Sequence, residues 1–89
     1  MKAQNKTIIV TGAGGGIGGE LVLALLARGA RVAGVDLKPD GMQAVASRAG
    51  ENAKNFSQHP LDITDRATVE NLPTEIINTH GQIDGLINC

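Results

Sequence analysis

The chain alternates between short β-branched runs and longer stretches that read as helices. Thr7-Ile8-Ile9-Val10-Thr11 carries no charge and suits a strand covered on both faces. A cluster of glycines follows at once. Ile17 to Arg28 then reads as a helix whose only charges are Glu20 and Arg28, with Gly29 placed as its C-cap. A helix this apolar is expected to be mostly buried. Arg31-Val32-Ala33-Gly34-Val35 predicts a second strand, ending in Asp36, and Pro39-Asp40-Gly41 carries turn chemistry. Met42 to Ala49 is a weaker helix, stopped by Gly50. Asn55 to Leu61 is the third strand, and Pro60 within it points to a sheet edge, because proline donates no ladder hydrogen bond. A third helix is expected from Asp65 towards His80, capped by Asp62 or Thr64 and kinked or split at Pro73. Ile83 to Asn88 completes the pattern as a fourth strand.

Strands and helices thus alternate from end to end, the signature of an α/β fold with a parallel sheet and right-handed crossovers. A doubly wound arrangement predicts four strands in the order 3-2-1-4, with the direction of winding reversing between the first and the fourth. Neither a repeat nor a linker interrupts this order. Residues 1–89 therefore read as a single small unit.

Composition narrows the function. The formal charge is -1, which argues against a nucleic-acid partner, since such a module carries a basic face. Phe56 is the one aromatic residue, so base-stacking platforms are excluded, as is any role for a tyrosine within these residues. Cys89 is the only cysteine, leaving no internal disulfide and no cysteine-based zinc site. The longest apolar run, Leu21 to Ala27, is too short to span a bilayer. Glycines interrupt any leader-like pattern after Lys2 and Lys6, so a soluble, cytoplasmic protein without a membrane partner is expected.

Six of the twelve glycines fall between Gly12 and Gly19, at the junction of the first strand and first helix. Glycines there permit a tight turn, let the backbone approach a pyrophosphate, and allow the helix to pack closely on the strand. Free amides and the positive end of the helix dipole then hold the phosphates. Asp36 lies eighteen residues after Gly18, at the end of the second strand, where a carboxylate can accept both ribose hydroxyls of an adenosine. A turn with Pro39 and Gly41 would also explain Asp36, though less completely.

Thr11-Gly12-Ala13-Gly14-Gly15-Gly16-Ile17-Gly18 resembles the Thr-Gly-x-x-x-Gly-x-Gly string of the short-chain dehydrogenases/reductases, a family with a Rossmann-like fold. Leu61-Asp62-Ile63-Thr64 is similar to that family's adenine-pocket segment, and Asp84-Gly85-Leu86-Ile87-Asn88-Cys89 to the approach to its Asn-Asn-Ala-Gly strand, with Cys89 in place of the second Asn. The resemblance covers the whole chain. It implies a cofactor-binding set of Gly12, Gly14, Gly15, Gly16, Ile17, Gly18, Asp36, Leu37, Asp62, Ile63 and Asn88. Asp62 would meet the adenine amino group, although capping a helix would explain it equally well. Asn88 could instead hold the sheet together. The same glycines also fit Thr-Gly-x-x-Gly-x-x-Gly, at Gly12, Gly15 and Gly18, the spacing of the extended, epimerase-like branch. Gly16-Ile17-Gly18 and the ending Ile87-Asn88-Cys89 favour the shorter branch.

The acidic Asp36 repels a 2′-phosphate, so NAD is expected over NADP; Lys38 could soften that preference without reversing it. The family's chemistry uses a Ser-Tyr-Lys set that would follow the fourth strand, so no catalytic residue is assigned here. The chain is expected to be the cofactor-binding portion of an oxidoreductase acting on an alcohol or carbonyl, stopping after the fourth strand. The full-length form would be a homo-oligomer. A non-catalytic nucleotide-binding or interaction module is the alternative. A methyltransferase of related architecture is weaker, because Thr11 stands where that class places an acidic residue. His59 and His80 lack metal-ligand spacing and read as solvated or capping residues, and Ser47 and Ser57 have no recognisable base nearby. The Cys89 thiol reads as incidental.

Overall fold

A computed structural model describes residues 2–89. Four strands, β1 (Thr7–Thr11), β2 (Arg31–Asp36), β3 (Phe56–Pro60) and β4 (Gly85–Asn88), form one parallel sheet in the order β3-β2-β1-β4. The expected order is the observed one. Ile8 lies opposite Val32 on one side and Gly85 on the other, and Val32 lies opposite Phe56. Helices α1 (Gly16–Ala27), α2 (Pro39–Ala49) and α3 (Arg66–His80) connect successive strands, with a 3-10 turn, Gly50–Asn55, before β3.

Alternation along the strands divides the side chains between two faces. Ile8, Val10, Val32 and Phe56 join Val22 and Leu26 of α1 and Met42 and Val45 of α2 in one core. On the other face, Ala33 and Val35 are buried, as is Ile76, the one buried residue of α3. Burial on both faces is what the β-branched first and second strands require.

Several local expectations change. Pro39, Asp40 and Gly41 form the first turn of α2 instead of a separate turn. Proline at N1 has the right φ and loses no hydrogen bond there, and Asp40 favours the helix dipole. Pro73 does not split α3, which runs unbroken through it. The residues flanking Pro73 are mostly exposed, so solvent is available to a backbone carbonyl that loses its helical partner there. The cap of α3 is Asp65, whose side chain accepts from the Thr68 amide, and not Asp62 or Thr64. Helix α1 is covered on only one side: Val22 and Leu26 are buried, Leu21, Leu23 and Leu25 are half-buried, and Ile17 is 83% exposed. Its outer side has no neighbouring layer among the described residues. Pro60 does close an edge strand, as expected.

The readings of Ser57 and the two histidines are overturned. His59 is buried, and Ser57 Oγ lies 2.7 Å from both His59 Nε2 and His80 Nε2. Residues two apart on a strand share a face, and α3 returns His80 to that same face. Separation in sequence concealed the contact. Among the described residues, no helix is long and apolar enough to cross a membrane.

Candidate functional site

The carboxyl ends of the strands form a cleft of about 330 Å³ lined by Thr11, Gly12, Val35, Asp36, Leu37, Leu61, Asp62, Ile63, Asn88 and Cys89. In an open doubly wound sheet, this is where the chain reverses its winding and the crossovers leave a gap. The cleft is floored by strand ends and walled by the segment that leads from β3 towards α3.

The glycine loop stands beside it. Gly12 has φ +67, a conformation that side chains rarely adopt, and its amide plane brings its carbonyl under Gly18. A Cβ on Gly18 would overlap that carbonyl, so α1 can approach the loop only because Gly18 has none. Gly16 differs. No neighbouring atom lies within 4 Å of the place its Cβ would take. The space above the start of α1 is therefore open, and among the described residues the amides of Gly16, Ile17 and Gly18 have no backbone acceptor. Open space next to unpartnered helix-start amides suits an anionic group.

Asp36 joins the loop to the cleft. Its Oδ2 accepts from the Gly14 amide at 2.9 Å and its Oδ1 from the Leu37 amide at 2.7 Å. An ionised carboxylate has about four acceptor directions, so this pair leaves capacity for hydroxyl donors. Behind Gly14, α2 comes so close that a Cβ on Gly41 would strike the Gly14 carbonyl. The loop is thus held from two sides, by a strand end and by the first turn of a helix.

Asp62 makes a local turn. Its Oδ1 accepts from Thr64 Oγ1 at 2.7 Å and from the Thr64 amide at 2.8 Å, and these two bonds hold its carboxyl below the ordinary carboxylate range. The carboxylate is presented on the cleft wall. Asn88 accepts from Thr11 Oγ1, and Thr11 Oγ1 in turn accepts from the Cys89 amide at 3.3 Å. These contacts tie β4 to β1, so holding the sheet is a role Asn88 does perform.

Gly12, Asp36, Leu37, Asp62, Ile63 and Asn88 therefore line the cleft, while Gly14, Gly15, Gly16, Ile17 and Gly18 form the adjoining loop and helix start. Thr11, Val35, Leu61 and Cys89 were not counted among the site residues yet line it too. Their signal was positional, since each stands at or just past the carboxyl end of a parallel strand. Among the described residues, no group of His, Cys, Asp and Glu is placed to hold a metal.

A dinucleotide fits this donor set on three counts: free amides beside open space, a carboxylate with spare acceptor capacity, and an apolar cleft wall from Val35, Leu37 and Ile63. Comparison with known proteins agrees. Residues 6–89 match the family described as short chain dehydrogenase. The chain is 36% identical over 88 residues to the 3-oxoacyl-[acyl-carrier-protein] reductase FabG of Escherichia coli (strain K12), covering 99% of this chain and 35% of that protein. The solved citronellol catabolism dehydrogenase (AtuB) of Pseudomonas aeruginosa PAO1 superposes with a TM-score of 0.86 at 35% identity, over 96% of this chain and 36% of that one. A solved NAD+-bound xylitol dehydrogenase superposes with a TM-score of 0.86 at 27% identity, over 97% of this chain and 33% of that one. The chain spans about a third of the length of the curated relatives it matches.

Proposed function

The chain belongs to the short-chain dehydrogenases, and from that membership we propose that its residues are the dinucleotide-binding portion of an oxidoreductase. The observation that carries this reading is the Asp36 carboxylate, bonded to the Gly14 amide and facing the cleft. In this reading the amides of Gly16, Ile17 and Gly18 hold the pyrophosphate, and Asp36 accepts the adenosine ribose hydroxyls. Leu37 and Ile63 cover the adenine, while Asp62 accepts from its amino group. When bound, the nicotinamide supplies hydride exchange with an alcohol or carbonyl. These residues bind and orient the cofactor, and the proton-transfer groups are proposed to belong to a longer chain. Homo-oligomerisation of that longer protein and a cytoplasmic setting are part of the same proposal.

NAD is the proposed cofactor. A 2′-phosphate would bring negative charge against Asp36, and Lys38, the N-cap of α2 two residues further on, would offset it only in part. Calorimetric titration of the protein with NAD, NADP and S-adenosylmethionine separates the possibilities. Tighter binding of NAD is expected. Tighter binding of NADP overturns the cofactor choice, and binding of S-adenosylmethionine alone overturns the reading itself. The mass of the polypeptide isolated from its natural source tests the longer chain, which predicts a value well above 9.2 kDa.

A further inference from the structure

Helix α3 is lightly held. It spans Arg66–His80 yet buries only Ile76, and Val69 and Ile77 remain 38% and 48% exposed. Its polar side makes the other connection. His80, the last residue of the helix, reaches Ser57 Oγ of β3 through Nε2, and His59 Nε2 of the same strand meets that same oxygen. Glu75, one turn earlier on α3, places Oε1 3.8 Å from His59 Nδ1, a charge contact too long for a hydrogen bond.

We propose that Ser57, His59, Glu75 and His80 form a proton-sensitive clasp that holds α3 on β3 and releases as the imidazoles take up protons. The donor and acceptor inventory supports this. With the Nδ1–H of His59 turned to Glu75, its Nε2 carries a lone pair and accepts the Ser57 hydroxyl proton. Ser57 Oγ then accepts the Nε2–H of His80. Both contacts are satisfied while His59 is neutral. A proton on His59 Nε2 aims two N–H groups at one oxygen and leaves the serine hydroxyl to find another acceptor. It also sets two imidazoles, with Arg31 of β2 nearby, into mutual repulsion if His80 is charged. Among the described residues, Glu75 is the acid that acts on His59, and it is largely exposed to water, which screens it. Helix α2 packs on the opposite, Phe56 face of the sheet and faces none of these atoms.

Burial is the dominant influence on both histidines and holds each below the ordinary value of 6.5; Glu75 opposes this at His59, while His59 and Arg31 reinforce it at His80. The unfolded chain therefore binds these protons first as the pH falls. The stability they supply is complete above about pH 6.5 and is lost as the pH drops from there towards their lowered folded values. Each linked proton shifts the unfolding equilibrium by up to about tenfold per pH unit in that window. Release also reaches the cleft, because Leu61, Asp62 and Ile63 connect β3 to α3 and line it. This last consequence rests on the proposed dinucleotide reading, whereas the clasp does not.

Proton NMR of the imidazole Cε1–H signals from about pH 8 to about pH 5 tests the clasp in the native protein, with signals assigned by substitution. Both histidines are expected to titrate below 6.5. Titration of either at or above that value overturns the proposal. Melting temperature against pH supplies a second readout: the native protein should lose stability below about pH 6.5, and His80→Gln should flatten the slope. An unchanged slope in His80→Gln equally overturns it, and if that variant fails to fold the NMR titration decides. NAD affinity measured at both ends of the range should weaken in acid in the native protein. Failure to bind NAD at either pH removes the dinucleotide reading and leaves both clasp readouts standing.

Discussion

At the scale of single residues, the glycine loop makes a sharp distinction between positions that look alike in the sequence. Gly16 and Gly18 both belong to the family string, yet the structure loads them differently. A methyl group at Gly18 meets the Gly12 carbonyl, a backbone atom that cannot move without displacing the loop. Among the described residues, a methyl group at Gly16 meets no atom within 4 Å outside its chain neighbours and its own helix. Gly18→Ala is therefore expected to destabilise the fold by about 1–3 kcal/mol, in the range of overpacked positions. Gly16→Ala should leave the melting temperature within experimental error and instead weaken dinucleotide binding. Urea unfolding and a cofactor titration, run on both variants, would separate these outcomes. Asp36→Asn removes the charge and keeps the shape. If Asp36 accepts the ribose hydroxyls as proposed, loss of these charge-assisted bonds should weaken NAD binding by roughly tenfold or more. It should also narrow the difference between NAD and NADP, and an unchanged ratio would count against the ribose assignment.

At the scale of elements, what was legible in the sequence depended on how strongly each segment was over-determined. β1 and β2 carry β-branched side chains and are mostly buried, β2 on both faces and β1 chiefly on the side of α1 and α2, and their positions follow from the pattern alone. The order of the strands follows from the doubly wound arrangement, whereas the expected cofactor-binding set came from the family resemblance and left out Thr11, Val35, Leu61 and Cys89, which line the cleft at the strand ends. Starts of helices were less legible. Pro39-Asp40-Gly41 carries the same residue types for a turn and for a first helical turn, and only packing of Gly41 on Gly14 separates the two. The contact of Ser57 with His80 depends on where α3 ends relative to β3, which no local pattern encodes. Pro73 illustrates the limit most clearly. Its ring removes a hydrogen bond from the middle of α3, but hydration of an exposed helix reduces the penalty enough for the helix to continue. Pro73→Ala should accordingly stabilise the protein, by about 1–3 kcal/mol, as measured by urea unfolding. A neutral or destabilising result would mean that the proline ring is needed where it stands.

At the scale of the whole molecule, the two faces of the sheet are unequally protected. α1 and α2 seal one face into a continuous core from Ile8 to Phe56. α3 packs over β3 on the other, so the portion over β1 and β4 is less covered: Ile9 and Thr11 are only half-buried and Leu86 is 62% exposed. β4 is also an outer strand, with one side of its backbone unpaired within these residues. An unpaired strand carrying an exposed leucine is a template for further pairing. Prepared as these 89 residues alone, the chain should therefore associate as its concentration rises. Leu86→Lys should shift it towards the monomer, because a charge on an edge strand opposes pairing without touching the core. Sedimentation velocity over a concentration series measures this directly. Persistent association of Leu86→Lys would move the sticky surface elsewhere, with the half-buried side of α1 at Leu21 and Leu25 the next to examine. The light packing of α3 over β3 gives the proposed pH clasp its leverage. A helix that buries one residue has little else to hold it, so two imidazoles and a hydroxyl can decide whether the wall beside the cleft stays in place.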